Sequence, residues 1–228
     1  AGGDTRQALN ALELAVVTTN PDRDGVRHIT LAVTEESIQQ KQIRYDKKGD
    51  GHYDSISAFI KSMRGSDPDA TLYYLAKMLV AGEDPKFIAR RILIQAAEDV
   101  GLADPRALLI ASAAAHAVEY VGMPEARIPL AEAALYLATA PKSNTAYIGI
   151  NEAMAAVKKE YNGEVPPSLQ NHKQEEYKYP HDYENHYIEQ QYLPNEQVGK
   201  TFYRPGSLGY EGKVMEHLHW IKNTKRSE

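Results

Sequence analysis

Cysteine is missing altogether from the 228 residues, so neither a disulfide nor a thiolate metal centre can hold this chain together. The same absence agrees with a reducing compartment. Long apolar runs are missing too: nothing approaches the roughly 20 residues that span a bilayer, and no charged-then-apolar leader opens the sequence. Positive charge is in deficit, 26 Lys and Arg against 31 Asp and Glu for a net charge of -5, which removes any overall pull toward nucleic acid or an anionic membrane. Such a contact would need a local basic patch. Walker A loops, serine nucleophile elbows and dinucleotide fingerprints are absent as well, so no complete active site is visible. The expectation is a cytoplasmic protein without membrane association. Ala1-Gly2-Gly3 carries no initiator methionine and runs straight into a helix signal, which reads as a piece of a longer protein.

What is present is helix punctuation. Asp67-Pro68, Asp84-Pro85 and Asp104-Pro105 each set a side-chain acceptor at an N-cap and a proline at the next position, where its missing N–H costs nothing. Gly65, Gly82, Gly101 and Gly122 fall where the preceding helices should stop. Between these marks, Ile56, Phe59, Ile60 and Met63 recur at helical spacing, as do Leu72, Leu75, Ala76 and Leu79. The segment 85–100 is apolar more widely, interrupted mainly by Arg90 and Arg91, and is expected to be the central helix. The next, 105–121, holds six alanines that allow close helix approach, and a further helix is expected over about 128–138. Ser143 is expected to cap a last helix carrying Ile150, Met154 and Val157. The fold class is therefore mainly α, a helical bundle or short superhelical stack.

The two ends differ from this middle. Asp4 with Gln7 suggests a capped helix to about Val17, striped by Leu9, Leu12 and Val16. Asn20-Pro21-Asp22-Arg23-Asp24-Gly25 breaks it, and Thr34 is expected to start a short helix. After Gly163 come Pro166, Pro167, Pro180, Pro194 and Pro205, yet seven of the 15 tyrosines lie within 177–210. Disordered tails are poor in aromatics. An ordered, irregular strap is expected there, its rings laid on the helices or on another subunit, with a short final helix over 212–222.

Four clusters could carry chemistry. Asp46, Asp50, Gly51 and Asp54 match the first half of a calcium loop, but Lys48 and Ser57 stand where ligands are needed, so a turn into a helix capped by Asp54 is the better reading. Arg6 sits near the start of the first helix, where the helix dipole disfavours a cation by about 0.3–1 kcal/mol. It is either an exposed arginine or one placed to meet nucleotide phosphates held by a neighbouring domain. Lys47, Lys48, Lys61, Arg64, Arg90 and Arg91 either converge into a DNA-contacting surface or lie on solvated faces, the Arg pair bonding carboxylates such as Glu98 or Asp99. His181, Asp182, Glu184 and His186 cluster without any standard ligand spacing, so no metal site is expected.

The residues also carry a resemblance. The run from Gly3 through Asp4-Thr5-Arg6-Gln7-Ala8-Leu9 to Glu13 resembles the sensor-2 helix in the lid of clamp-loader-type AAA+ ATPases. More specific are Tyr45-Asp46-Lys47-Lys48-Gly49-Asp50-Gly51-His52-Tyr53-Asp54 with the continuation to Asp67-Pro68, then Gly82-Glu83-Asp84-Pro85, Ala97-Glu98-Asp99-Val100-Gly101, Ala138-Thr139-Ala140-Pro141-Lys142-Ser143-Asn144 and Tyr179-Pro180-His181-Asp182. Together they resemble the C-terminal part of the replication-associated recombination protein A (RarA/MgsA) family, related to the Werner helicase-interacting ATPase, over residues 3–210. The resemblance implies a lid end over 1–42 and a helical oligomerisation domain over 43–228. It implies a homotetramer that hydrolyses ATP with DNA stimulation and works at replication forks in recombination and repair, with single- or double-stranded DNA and single-strand-binding protein as partners. Arg6 would be the sensor-2 arginine on the ATP phosphates. ATP and Mg would belong to the intact protein, and this stretch, without Walker motifs, would be neither an enzyme nor a cofactor site. The implied location is bacterial, cytoplasmic and nucleoid-associated.

Overall fold

A computed structural model describes residues 50–159, 163–172 and 177–223, with 19–34 and positions 9, 12, 13, 15 and 16 near the start. It is mainly helical, and among the described residues none lies in a β-strand. From residue 50 onward the α-helices are α1 (Asp50–Arg64), α2 (Pro68–Val80), α3 (Pro85–Gln95), α4 (Arg106–Val121), α5 (Arg127–Thr139), α6 (Thr145–Lys159) and α7 (Gly209–Asn223). Short one-turn helices connect some of them.

The helix starts follow the local chemistry. The Asp67 carboxylate accepts from the Ala70 N–H, and that of Asp84 from the Lys86 N–H, with Pro68 and Pro85 opening α2 and α3. Asp104 accepts from the Arg106 N–H at 3.2 Å. Gly82, Gly101 and Gly122 take positive φ at the helix ends as expected. After α1 the left-handed residue is Ser66, φ 60°, one place later than Gly65. Asp54 lies inside α1 and does not cap it, because the helix already starts at Asp50. Near the start of the chain, the Thr30 hydroxyl accepts from the Val33 N–H at 3.3 Å and residues 31–34 are helical, so the cap falls at Thr30 and not at Thr34.

The core is where α1 to α5 meet. Ile56, Phe59 and Met63 of α1, Leu75 and Met78 of α2, and Ile88 and Ile92 of α3 are buried in one cluster. The α2 register is rotated from the expected stripe: Thr71, Leu75 and Met78 face inward and Ala76 outward. Thr71 is tolerated because its hydroxyl donates to the Asp67 carbonyl at 2.7 Å. The central helix is α5, not α3: it packs against α1, α2, α3 and α4. Its Leu130, Ala133, Ala134, Leu137 and Ala138 are all fully buried. Small side chains on α5 and on α4, where Ala107, Ala111 and Ala114 are buried, let the backbones come close enough for that arrangement. Burying each of the large side chains contributes roughly 1.5–3 kcal/mol.

The segment 96–103 is a second organising feature. A single π-helical turn (Ala96–Val100) and a 3-10 turn (Gly101–Ala103) follow α3, and both α6 and α7 rest against this segment. Gly209 is required there: a Cβ would stand 2.1 Å from the Ala103 carbonyl oxygen. Gly149 of α6 is equally constrained, since a Cβ would meet the Phe202 carbonyl at 2.7 Å. The irregular segment between α6 and α7 is ordered over its described residues but folds largely on itself. Gln190 donates to the Lys178 carbonyl and to the Tyr192 hydroxyl, both at 2.8 Å. Its rings are less covered than expected, with Tyr179 and Tyr192 half-exposed, because their partners lie within the strap. The final helix starts three residues earlier than the expected 212.

Candidate anion-binding groove and family

Residues from α1 and α3 enclose an open groove of about 550 Å³, lined by Tyr53, Ile56, Ser57, Ile60, Lys61, Arg64, Phe87 and Arg91. The α1 members fall on one face because they recur three, four and seven residues apart, and Phe87 and Arg91 face them one helical turn apart on α3. Three of the six basic residues singled out in the sequence, Lys61, Arg64 and Arg91, are thus brought together. Arg90 is not among them. It lies 6.0 Å over the Phe87 ring and 3.9 Å from Asp84, in solvent. Lys47 and Lys48 lie outside the described residues, as do Arg6 and Asp46.

The three cations differ in how they are answered. Arg64 Nε donates to both carboxylate oxygens of Asp99 at 2.9 Å, and Nη2 reaches Glu98 at 3.4 Å. The carboxylates offered in sequence terms to Arg90 and Arg91 are therefore taken by Arg64, because the π-helical turn aims them at the end of α1. The Gln95 amide also donates to Asp99, while Gln95 Oε1 is buried without a partner. Arg91 is half-buried, its Nε is enclosed, and no hydrogen bond or ion pair reaches that nitrogen. Lys142 closes the far side of the α1 end: its ammonium donates to the Ala138 and Ala140 carbonyls and to Ser66. Burial pushes its pKa down, with Asp99 acting in the opposite sense.

A second polar cluster holds α7. Glu211 is fully buried and accepts from the hydroxyls of Ser143, Thr145 and Tyr203. Burial pushes this carboxyl up, but those donors and the Gly206 N–H outweigh it, leaving the group below its ordinary range. Burial, then the hydrogen bond to Glu211, lifts Tyr203 to about 12. Asp104 is held at about 2, first by the Arg106 guanidinium and against the effect of burial, with help from the Tyr136 hydroxyl at 2.7 Å. The sequence marked Asp104 and Ser143 only as helix caps, and nothing in it marked Glu211, Tyr203 or Tyr136 for this role. A glutamate in a first turn looks like an ordinary surface residue complementing the helix dipole.

In the strap the histidine rings meet at tilted angles. The His181 ring lies 4.9 Å from His186 and 5.1 Å from Tyr179. Among the described residues, no group of three or more His, Asp or Glu side chains could hold a metal. No described helix is long and apolar enough to cross a membrane.

The described residues, mainly helical and without a β-strand, are consistent with an α-helical C-terminal domain. Comparison with known sequences agrees: residues 1–64 match the family described as AAA C-terminal domain, and residues 65–222 match MgsA AAA+ ATPase C terminal. The chain belongs to this MgsA family. It is 48% identical over 227 residues to replication-associated recombination protein A of Bacillus subtilis, covering 96% of this chain and 54% of that protein. The protein of the same name from Escherichia coli K12 is 41% identical over 229 residues, covering 96% of this chain and 51% of its own. ATPase WRNIP1 of Dictyostelium discoideum is 41% identical over 160 residues, 64% of this chain and 18% of that protein. The chain spans about half the length of the bacterial relatives it matches.

Proposed function

We propose that this chain is the assembly element of a AAA+ ATPase acting in replication-associated recombination and repair, and that it holds the ATPase domains in a homotetramer. One observation carries the assembly role. Tyr147, Ile150, Met154 and Val157 share one side of α6 at intervals of three and four residues, and are 50%, 58%, 50% and 61% exposed. Apolar faces of this kind mark interaction sites. In the structure this stripe looks outward, and α6 rests against segment 96–103. In this reading 1–42 is the lid end and 43–228 the oligomerisation domain. Arg6 meets ATP phosphates only in the intact protein, ATP and Mg act there, and no step of hydrolysis is assigned to this stretch.

Light-scattering mass across a dilution series tests it. A mass near four chains that persists on dilution, and that falls in Ile150→Asp with Met154→Asp at unchanged thermal midpoint, is the expected result. A monomeric chain at every concentration would give assembly to the ATPase domains.

A second reading, a binding module for DNA or for a replication protein, is favoured by the gathering of Lys61, Arg64 and Arg91 at one groove. A salt-sensitive shift of single-stranded DNA that needs Lys61, Arg64, Arg90 or Arg91 would support the DNA form.

A further inference from the structure

We propose that the seating of α7 controls Arg64: while α7 is docked, Asp99 holds the Arg64 guanidinium, and when α7 lets go, Asp99 shifts and that charge is released beside Lys61 and Arg91. Three features of the structure between α1 and α7 point to it.

The first is an unbroken polar path. Both carboxylate oxygens of Asp99 accept from Arg64 Nε, and the Asp99 carbonyl accepts from the Ser143 N–H at 2.8 Å. The Ser143 hydroxyl then donates to Glu211, the residue that anchors α7. Lys142, the neighbour of Ser143, donates to the Ser66 hydroxyl just past the end of α1 at 3.0 Å. One short linker thus ties both ends. The second is tight backbone contact, which leaves no slack along that path. A Cβ on Gly101 would stand 2.7 Å from the Ser143 carbonyl oxygen, and Gly209, the first residue of α7, closes on Ala103. Residues 96–103 are gripped by the linker and by α7, so the position of Asp99 follows theirs. The third is the element being gripped. Single π-helical turns are rare and recur at functional sites. This one starts at a cost, because Gln95 is 1% exposed and its Oε1 has no donor. A turn with a local cost, kept by contacts from outside it, is the two-state element that coupling between distant groups requires.

Modification of arginines by phenylglyoxal, followed residue by residue by mass spectrometry on the whole chain, tests this alongside amide hydrogen exchange. Arg64 is half-exposed, so the reagent reaches it, and its pair with Asp99 slows the reaction. Glu211→Gln should unseat α7 and speed modification of Arg64 at least about fivefold. Arg90, which lies off the path, should react as before, and the amides of α5 should keep their protection. Gly209→Val should do the same by steric exclusion, and it keeps the test alive if Glu211→Gln fails to fold. Coupling is reciprocal, so Arg64→Gln should lower the protection of the Ser143 amide and of α7. Loosened α7 amides with Arg64 reacting at the wild-type rate overturn the proposal. Faster reaction of Arg64 only together with lost protection in α5 is general unfolding and overturns it too. So does an α7 that stays protected in both variants, since neither Glu211 nor Gly209 would then hold the seat.

Discussion

The block made by α1 to α5 and the C-terminal segment leading into α7 are ordered by different physics. In the block, side chains are apolar and small-to-large pairs fill the space: Leu130 and Leu137 of α5 are fully buried among alanines of α4 and α5. In the C-terminal segment few large side chains are buried. What holds it is one carboxylate, Glu211, with three hydroxyl donors, and a backbone-to-backbone approach that only Gly209 permits. Apolar packing is spread over many contacts and degrades gradually, whereas a single satisfied buried charge fails as a unit.

That contrast can be broken most severely from the block side. Leu137→Ala should cost about 3 kcal/mol in urea unfolding, because a cavity opens in a helix that packs against α1, α2, α3 and α4. A loss below about 1 kcal/mol would mean that α5 is not central. Glu211→Ala should cost about 2 kcal/mol by orphaning its donors. Its signature should be local: amides near Tyr203 and Gly206 lose hydrogen-exchange protection while those of α5 keep theirs. Uniform loss would show that the two regions unfold together.

Acid sharpens the comparison further. Asp104 is depressed from 3.8 to about 2, so its contribution is fully present above pH 3.8 and is lost as pH falls through about 2. Glu211 is also lowered and acts in the same sense. Asp104, discounted for its exposed partner Arg106, should remove about 1–2 kcal/mol across that window. Asp104→Asn should flatten the acid limb of the stability curve; an unaltered limb would refute the assignment. The smallest effect belongs to Lys86→Ala, which breaks an exposed pair with Glu119 at 3.2 Å and should shift stability by less than about 0.5 kcal/mol.

What could be read from the sequence divides along the same line. The Asp-Pro starts at 67, 84 and 104 were legible because a cap and its partner lie within three residues. Which helix is central was not: the broad apolar character of α3 suggested it, but centrality depends on neighbours, and alanine-rich α5 is what several helices can approach at once. Periodicity placed Ile150, Met154 and Val157 on one face without saying what that face meets. At the groove, Lys61, Arg64 and Arg91 were singled out by charge alone. Their convergence, and the claim of Arg64 on Asp99 across 35 residues, arise only once α1 and α3 are packed.

The anchorage of Gly209 against Ala103 joins positions more than 100 residues apart, while α1 to α5 touch mostly through neighbours in the chain. Closing a long loop is slow relative to forming local helix pairs. During synthesis, the block can therefore finish before Gly209 and Glu211 leave the ribosome, and the final helix arrives as a clasp onto a surface that already exists. The order of events is built into the connectivity: a chain stalled before residue 209 would carry its interior complete and the seat for that clasp vacant.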